Sequence, residues 1–377
     1  MNPVMPYQTL GIIGGGQLGR MMCLSAKAMG YRVAVLDPTP NCPCGQVADI
    51  EITAAYNDLS AIKELAEISD VITYEFENID YDALVWLEQN ANLPQRSDVL
   101  KITQHRFSEK EAIKNMGIPV AKSLLIRDRT ELDTHFYFPS VLKTTRGGYD
   151  GKGQVVIRSE ADRAAAKALA DSAECILEAF MPYNMEISVM IARSITGEQS
   201  VLPIAENIHV NNILHQTIVP ARITPALAQK ATDYAKKISA ELNAIGILAI
   251  EMFVVGDEIY VNELAPRPHN SGHYSMDACV TGQFEQHVRA ICGLPLGDTT
   301  LLSPVVMVNI LGNHLDKDNL SNLAAYLPLI KTGKLHLYGK AQAVDKRKMG
   351  HVNILGSDID QLLTTIDSTR IWQTEDN

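Results

Sequence analysis

The stretch Ile247-Leu248-Ala249-Ile250-Glu251-Met252-Phe253-Val254-Val255-Gly256-Asp257-Glu258-Ile259-Tyr260-Val261-Asn262-Glu263-Leu264 decides the class of this chain. Two apolar, β-branched runs flank a short polar turn, the pattern of an antiparallel hairpin. A three-residue turn at 256–258 predicts Glu251 and Glu263 directly opposite each other on one face. Like charges so placed destabilise a sheet unless a cation lies between them. Two carboxylates facing inward from an apolar hairpin suit magnesium completed by water and nucleotide phosphates. A turn shifted by one residue would instead leave one glutamate solvated. Asn262 is expected on the opposite face, or holding a nucleotide through its backbone.

Upstream, Lys143-Thr144-Thr145-Arg146-Gly147-Gly148-Tyr149-Asp150-Gly151-Lys152-Gly153 packs four glycines and three cations into eleven residues. Such a loop can fold backbone N–H groups over phosphates while lysines neutralise their charge. It matches neither the Walker pattern nor the protein-kinase glycine loop. Its plain alternative is a basic hairpin tip. Between loop and hairpin, Ile176-Leu177-Glu178-Ala179-Phe180-Met181-Pro182 ends a strand in a proline-stopped connector, and Glu186 starts the next strand. An adenine edge needs backbone donors and acceptors in an apolar slot, and a ribose diol needs a carboxylate. Glu178, Ala179, Phe180, Met181 and Glu186 can supply both, although each is also an ordinary strand end.

Near the start, Gly14-x-Gly16-x-x-Gly19 follows the run Leu10–Ile13 and opens a helix over 17–29, and Asp37 ends the next strand. Taken alone, this fingerprint reads as an NAD-dependent oxidoreductase. Physically it requires less, an anion or polar ligand at a helix start, or only a glycine turn for close packing. The β-α-β-α-β order of the first hundred residues predicts a parallel, doubly wound sheet. From about position 104 the pattern becomes α+β. Beyond position 304, runs at 305–311, 335–338 and 351–355 predict a small β-rich unit.

Length bounds the rest. At roughly 150 residues per domain, 377 residues make two or three domains. With 33 basic and 44 acidic residues the net charge is −11, which disfavours a nucleic-acid or anionic-membrane surface. Cations for anionic ligands must therefore be gathered locally. No apolar run has the length of a membrane span, and residues 1–10 lack the pattern of a signal peptide, so a cytoplasmic protein is expected. Six scattered cysteines make no disulfide scaffold, and Cys42-Pro43-Cys44 reads either as half of a metal site without its second pair or as loop thiols.

Taken together these segments resemble the ATP-grasp superfamily and, over essentially the whole chain, the 5-(carboxyamino)imidazole ribonucleotide synthase (PurK) family of purine biosynthesis. The resemblance rests on 14–19 (GGGQLG), 73–78 (TYEFEN), 147–154 (GGYDGKGQ), 218–222 (IVPAR), 262–273 (NELAPRPHNSGH), 338–340 (YGK) and 347–351 (RKMGH). It implies a Rossmann-like pre-ATP-grasp domain at 1–103, an ATP-grasp domain at 104–300 with a lid at about 120–185, and a small β-rich C-terminal domain at 301–377. It implies a ligase that carboxylates 5-aminoimidazole ribonucleotide with bicarbonate, releasing ADP and phosphate by way of carboxyphosphate. Its cofactors would be ATP with Mg²⁺ or Mn²⁺, without NAD or biotin, and its state a homodimer.

Residue by residue, the resemblance places ATP among Arg106, Lys143, Gly148, Tyr149, Asp150, Gly151, Lys152, Gly153, Gln154, Glu178, Ala179, Phe180, Met181, Glu186, His209, Asn262 and Glu263. Glu251 and Glu263 would hold the metal. The ribonucleotide would meet Gln17, Leu18, Glu75, Lys152, Arg267, His269, Asn270, Lys340 and Arg347, with Asp150, Tyr149 and Lys340 catalytic and Asp150 accepting the amine's proton. Many ATP-grasp ligases carry Asn two residues past the second glutamate; here it is Ala265, so the third ligand is open. Rival readings are an ATP-grasp ligase for another acceptor, such as glycinamide ribonucleotide or biotin, an NAD-dependent oxidoreductase, and a nucleotide-binding regulator, whose mark would be loss of Lys143, Glu251 or Glu263.

Overall fold

The computed structural model describes residues 2–148, 151–312, 315, 329 and 331–368. The chain opens with four strands, β1 (Thr9–Ile13), β2 (Arg32–Asp37), β3 (Ile50–Thr53) and β4 (Val71–Tyr74). They form a parallel sheet in the order β3-β2-β1-β4. The central strands are apolar on both faces because helices cover both. Those helices are α1 (Gln17–Ala28), α2 (Leu59–Ile68) and α3 (Tyr81–Asn90). Asp58 caps α2 by accepting from the amides of Ser60 and Ala61, and Asp80 caps α3 through Ala83. Strand β3, too short and polar to show periodicity, is absent from the sequence reading. Helix α4 (Asp98–Thr103) then leads to α5 (Arg106–Asn115), where His105 Nδ1 serves as N-cap for the Ser108 amide at 3.3 Å.

A second sheet carries the glycine loop. Its strands β5 (Ser123–Ile126), β6 (Ser140–Thr144), β7 (Gln154–Ile157) and β8 (Cys175–Ala179) lie antiparallel in the order β5-β8-β6-β7. Helices α6 (Glu131–His135) and α7 (Arg163–Ser172) accompany them, and Ala166 and Ala170 of α7 pack on Leu142, Ile157 and Leu177.

The third sheet has nine strands. These are β9 (Met185–Arg193), β10 (Gln199–Val201), β11 (Ala205–Val210), β12 (Ile213–Val219), β13 (Gly246–Val255), β14 (Glu258–Ala265), β15 (Val305–Leu311), β16 (Gly333–Leu337) and β17 (Lys348–Leu355). The order is β14-β13-β9-β11-β12-β15-β17-β16, with β10 on β9. The C-terminal strands thus extend the central sheet through β12–β15 rather than standing as a separate sheet. Helix α8 (Pro225–Glu241), capped by Thr224, buries Leu227, Ala231, Ala235 and Ile238 against β9, β13 and β14. Helices α9 (Ser275–Ala278), α10 (Gln283–Cys292) and α11 (Ile359–Ser368) complete the described elements. Among the described residues no helix is long and apolar enough to cross a membrane.

One buried bridge ties the first sheet to the third. His287 Nδ1 on α10 accepts from the Ile247 amide at 3.1 Å, so its proton lies on Nε2, 2.8 Å from Thr73 Oγ1. Thr73 in turn donates to Gln95 Oε1, and Gln95 Nε2 reaches the Pro266 carbonyl at 2.9 Å. Gly246 (φ +92°) has no room for a Cβ, which would lie 2.8 Å from the His287 ring. Burial holds the His287 imidazole down at about 3, so it stays neutral.

Candidate active site

The deciding hairpin forms, but by a different route from the expected one. Val255 pairs with Glu258, so the turn has two residues, Gly256 and Asp257. That register would pair Glu251 with Asn262. A bulge at Asn262 inserts one extra residue, and Glu263 then lies opposite Glu251. The carboxylate pair therefore exists because of a bulge, not because of a longer turn. Asn262 also lines the cleft, and its carbonyl accepts from Lys110 Nζ at 3.0 Å.

Burial pushes the Glu251 carboxyl well up, and the neighbouring Glu263 adds to the rise. Glu263 goes the other way. Burial would raise it, but Arg106 and Lys143 outweigh that and hold it at about 2. The two carboxyls thus diverge, Glu263 held ionised and Glu251 resisting charge, and a divalent cation between them would favour the ionised form of both. Among the described residues no group of three His, Cys, Asp or Glu side chains could hold a metal, so a cation here needs ligand oxygens besides the pair. A divalent ion on two carboxylates and phosphates fits that donor set.

Arg106, the first residue of α5, straps the pair to the glycine loop. Its Nη1 donates to Glu263 Oε2 at 3.0 Å and its Nη2 to the Gly148 carbonyl at 3.1 Å. The loop joins β6 to β7, and Gly148 (φ +78°) must be glycine because a Cβ would lie 2.7 Å from the Lys152 carbonyl. Gly148, Gly151, Lys152 and Gln154 line a cleft of ≈ 730 Å³ with Lys143 and Arg106, whereas Gly153 lies behind it against Thr144. Tyr149 and Asp150 lie outside the described residues.

Glu178 is buried, and its carboxylate bridges two lysines, with Lys143 Nζ at 2.8 Å and Lys110 Nζ at 3.3 Å. Burial alone would raise it; the two ammonium groups lower it to about 2. Its side chain is thus committed to fixing the lysines, not turned to the cleft. Of the connector that follows, Phe180 lines the cleft, and Ala179 and Met181 do not. Further along, Glu186 Oε2 meets His209 Nδ1 at 2.8 Å, and Tyr183 stacks on Phe253 with ring centroids 4.6 Å apart. Glu186, His209, Phe180 and this aromatic pair make an apolar slot with a carboxylate at its rim.

The opposite end of the cleft is polar. Arg267 Nη2 lies 2.9 Å from Glu77 Oε1 and 3.0 Å from Oε2. His269 Nε2 approaches Glu251 Oε1 at 3.6 Å. Burial, with Arg267 and Lys348 nearby, holds that imidazole down at about 3. Asn270 is buried, and neither end of its amide has a protein partner.

Five residues expected at the ribonucleotide do not line this cleft. Leu18 is packed in the core with Met21 and Met22, and Gln17 begins α1 beside it. Glu75 accepts from the amides of Gly16 and Gly19, and Asp37 Oδ2 accepts from Gly15 at 2.7 Å. The dinucleotide-like loop therefore spends its amides on the chain's own carboxylates. Lys340 Nζ donates to the Lys348 carbonyl at 2.6 Å, and Arg347 is exposed, with Nη1 3.4 Å from the Gln342 carbonyl. The cation that does reach the cleft from this segment is Lys348.

Sequence reasoning missed Lys110, Glu77, Asn78, Tyr183, Phe253 and Lys348 at or behind the cleft. Lys110 was legible in part, since it stands four residues past Arg106 on one helix face. Glu77 and Asn78 lie inside a quoted motif whose first acid drew the attention. The cysteines are all buried thiols, and Cys42 and Cys44 pack behind the first glycine loop.

Comparison with known proteins agrees with this architecture. Residues 7–104 match the ribonucleotide synthetase preATP-grasp domain, 111–284 the ATP-grasp domain, and 305–365 the phosphoribosylaminoimidazole carboxylase C-terminal domain. The chain is 54% identical to the N5-carboxyaminoimidazole ribonucleotide synthase of Bacillus subtilis, covering 99% of this chain and 97% of that one. It is 42% identical to the enzyme of that name from Staphylococcus aureus, over 94% of each. A crystal structure of an N5-carboxyaminoimidazole ribonucleotide synthetase with ADP superposes with a TM-score of 0.94 at 59% identity, covering 99% and 98% of the two chains. The Aspergillus clavatus enzyme with ADP and 5-aminoimidazole ribonucleotide gives 0.88 at 28%, over 96% and 97%.

Proposed function

The chain belongs to the N5-carboxyaminoimidazole ribonucleotide synthase family of ATP-grasp ligases, and from that premise we propose the reaction and the residues that carry it. It is an ATP-dependent ligase of purine biosynthesis that carboxylates 5-aminoimidazole ribonucleotide with bicarbonate. The observation that carries the reading is the meeting of Glu251, Glu263, Arg106 and the glycine loop in one cleft. Adenine lies in the slot beside Phe180, and Glu186 takes the ribose. Lys143, Lys152 and the loop amides hold the phosphates. Glu251 and Glu263 would hold Mg²⁺, or Mn²⁺ in its place, and the ion's charge would neutralise that of the phosphates.

The chemistry has two steps. A bicarbonate oxygen attacks the γ-phosphorus and the bond to ADP breaks, giving carboxyphosphate. The exocyclic amine then attacks the carboxyl carbon, the bond to phosphate breaks, and Asp150 takes the amine's proton. The first step needs mainly positioning and charge neutralisation, which the Arg106 strap and the paired lysines support. Arg267, His269 and Asn270 border the ribonucleotide and bicarbonate. NAD and biotin play no part. We assign domains at 1–103, 104–300 and 301–377, a cytoplasmic location and a homodimer.

The test is ADP release measured with each component omitted. It should require Mg²⁺, bicarbonate and 5-aminoimidazole ribonucleotide together. Equal turnover with glycinamide ribonucleotide as acceptor would overturn the substrate assignment.

A further inference from the structure

We propose that Ser271 and Ser188 are positioning residues, members of a one-way hydrogen-bond relay that keeps His269 Nδ1 an acceptor and turns its Nε2–H toward the carboxylate pair. The relay crosses the large sheet beneath the cleft. Thr217 of β12 pairs in register with Asn207 of β11, and its hydroxyl donates to Asn207 Oδ1 at 3.1 Å. At the other end of the amide, Asn207 Nδ2 donates to Ser188 Oγ at 2.9 Å. Ser188 donates onward to Ser271 Oγ at 2.8 Å, and Ser271 Oγ stands 2.9 Å from His269 Nδ1. Thr217, Asn207, Ser188 and Ser271 are all buried, so water does not scramble the order.

A second, longer contact adds to the first in the same direction. The Ser271 backbone N–H, whose proton cannot move, points at the same Nδ1 at 3.3 Å. A proton on Nδ1 would oppose donor to donor there and would take from Nδ1 the bond that the Ser271 hydroxyl donates. The ring proton is therefore on Nε2, the nitrogen 3.6 Å from Glu251 Oε1. Gln283 holds the ring's own backbone still, accepting from the His269 amide at 2.9 Å and donating to its carbonyl at 2.8 Å. Ser188 is also the register partner of Glu251 across β9 and β13, so one strand pair positions both sides of the gap.

A neutral N–H donor beside paired carboxylates serves an oxyanion, stabilising its charge without delivering a proton. In the reaction proposed above, on which this role rests, the oxyanion is bicarbonate or the carboxyl group formed from it.

The test has two arms. Long-range ¹⁵N correlation spectra of histidine-labelled protein report which ring nitrogen is protonated, with His269 assigned by loss of its signals in His269→Gln. The parent should show the Nε2–H form, and Ser271→Ala and Ser188→Ala a mixture. An Nδ1–H form in the parent would overturn the relay whatever the enzyme catalyses. The second arm measures bicarbonate-dependent ADP release. Each serine variant should lose about five- to tenfold in kcat at an unchanged ATP KM, the scale of one charge-assisted hydrogen bond. In a His269→Gln background, where an amide N–H stands in for Nε2–H, adding Ser188→Ala should change kcat by less than about twofold. An equal loss in both backgrounds makes the serine merely structural. A parent that lacks bicarbonate-dependent turnover would sink the reaction, while the spectra still decide the relay.

Discussion

Glu263 faces Glu251 across β13 and β14 because Asn262 is an extra residue on its strand. Without the bulge Glu263 would join the opposite face, and the cleft would lose one of its two paired carboxylates.

Glu263→Gln should therefore remove turnover by at least about a hundredfold while the protein still folds, with a melting temperature below the parent's. The amide keeps the shape but takes the carboxylate away from Arg106, whose charge holds Glu263 ionised in the folded chain. The check is ADP release at saturating Mg²⁺ beside a thermal scan. Parental activity would remove Glu263 from the metal site.

Glu178 is the opposite case, one buried carboxylate on two lysines. Glu178→Ala should cost about 3–5 kcal/mol, because it strands the buried Lys110 ammonium and the half-buried one of Lys143. Denaturant unfolding measures it, and a loss below about 1 kcal/mol would mean that solvent already reaches the lysines. Glu178→Ala should also raise the ATP KM by releasing Lys143.

His287 predicts a pH dependence. Its folded value of about 3 lies below the ordinary 6.5, so the unfolded chain takes up a proton that the folded chain refuses. Its contribution is whole above pH 6.5 and falls as the pH drops from 6.5 toward 3, by about 1.4 kcal/mol per unit. The stability advantage of the parent over His287→Gln should shrink between pH 7 and 5. A constant difference across that window would mean that His287 is not held neutral.

Lys348→Met should reduce carboxylation more than Arg347→Ala does, because Lys348 lines the cleft and Arg347 is exposed. About tenfold in kcat/KM for the ribonucleotide is expected for the first and less than twofold for the second. The reverse order would restore Arg347 to the substrate.

Asp150→Asn separates the two chemical steps. If Asp150 takes the amine's proton, carboxylated product should fall by about 10²–10⁴-fold, and phosphate release by less, since carboxyphosphate can be lost to water. Parallel assays of both products decide it. Equal losses with a raised ATP KM would move Asp150 to nucleotide positioning.

Strand and helix types along most of the chain were legible because periodicity and glycine punctuation report local structure. The parallel opening sheet, the glycine loop on β6–β7 and the facing glutamates follow from such signals. What stayed hidden depends on partners far apart in sequence. Nothing near Glu75 says that its carboxylate will cap α1, more than fifty residues upstream, and so remove the meaning of a complete dinucleotide fingerprint. Nor does the tail reveal that its lysine at 348, not the one at 340, turns inward: Met349 is an extra residue on β17, opposite the step from Ile310 to Leu311, and it offsets the start of that strand. The deciding hairpin reached the expected pairing through two departures that cancel, a shorter turn and an extra residue.

The joining of β15 to β12 bears on how the chain is made. During synthesis, β12 emerges roughly ninety residues before β15, and until then it is a bare edge offering unpaired amides and carbonyls. β17 must arrive later still to cover β15. The nine-stranded sheet is thus completed by strands that leave the ribosome after its central ones, and a nascent chain stalled near position 300 would be a template for intermolecular strand pairing. Amide hydrogen exchange should find the same dependence in the finished protein, with β12 and β15 losing protection in one cooperative step.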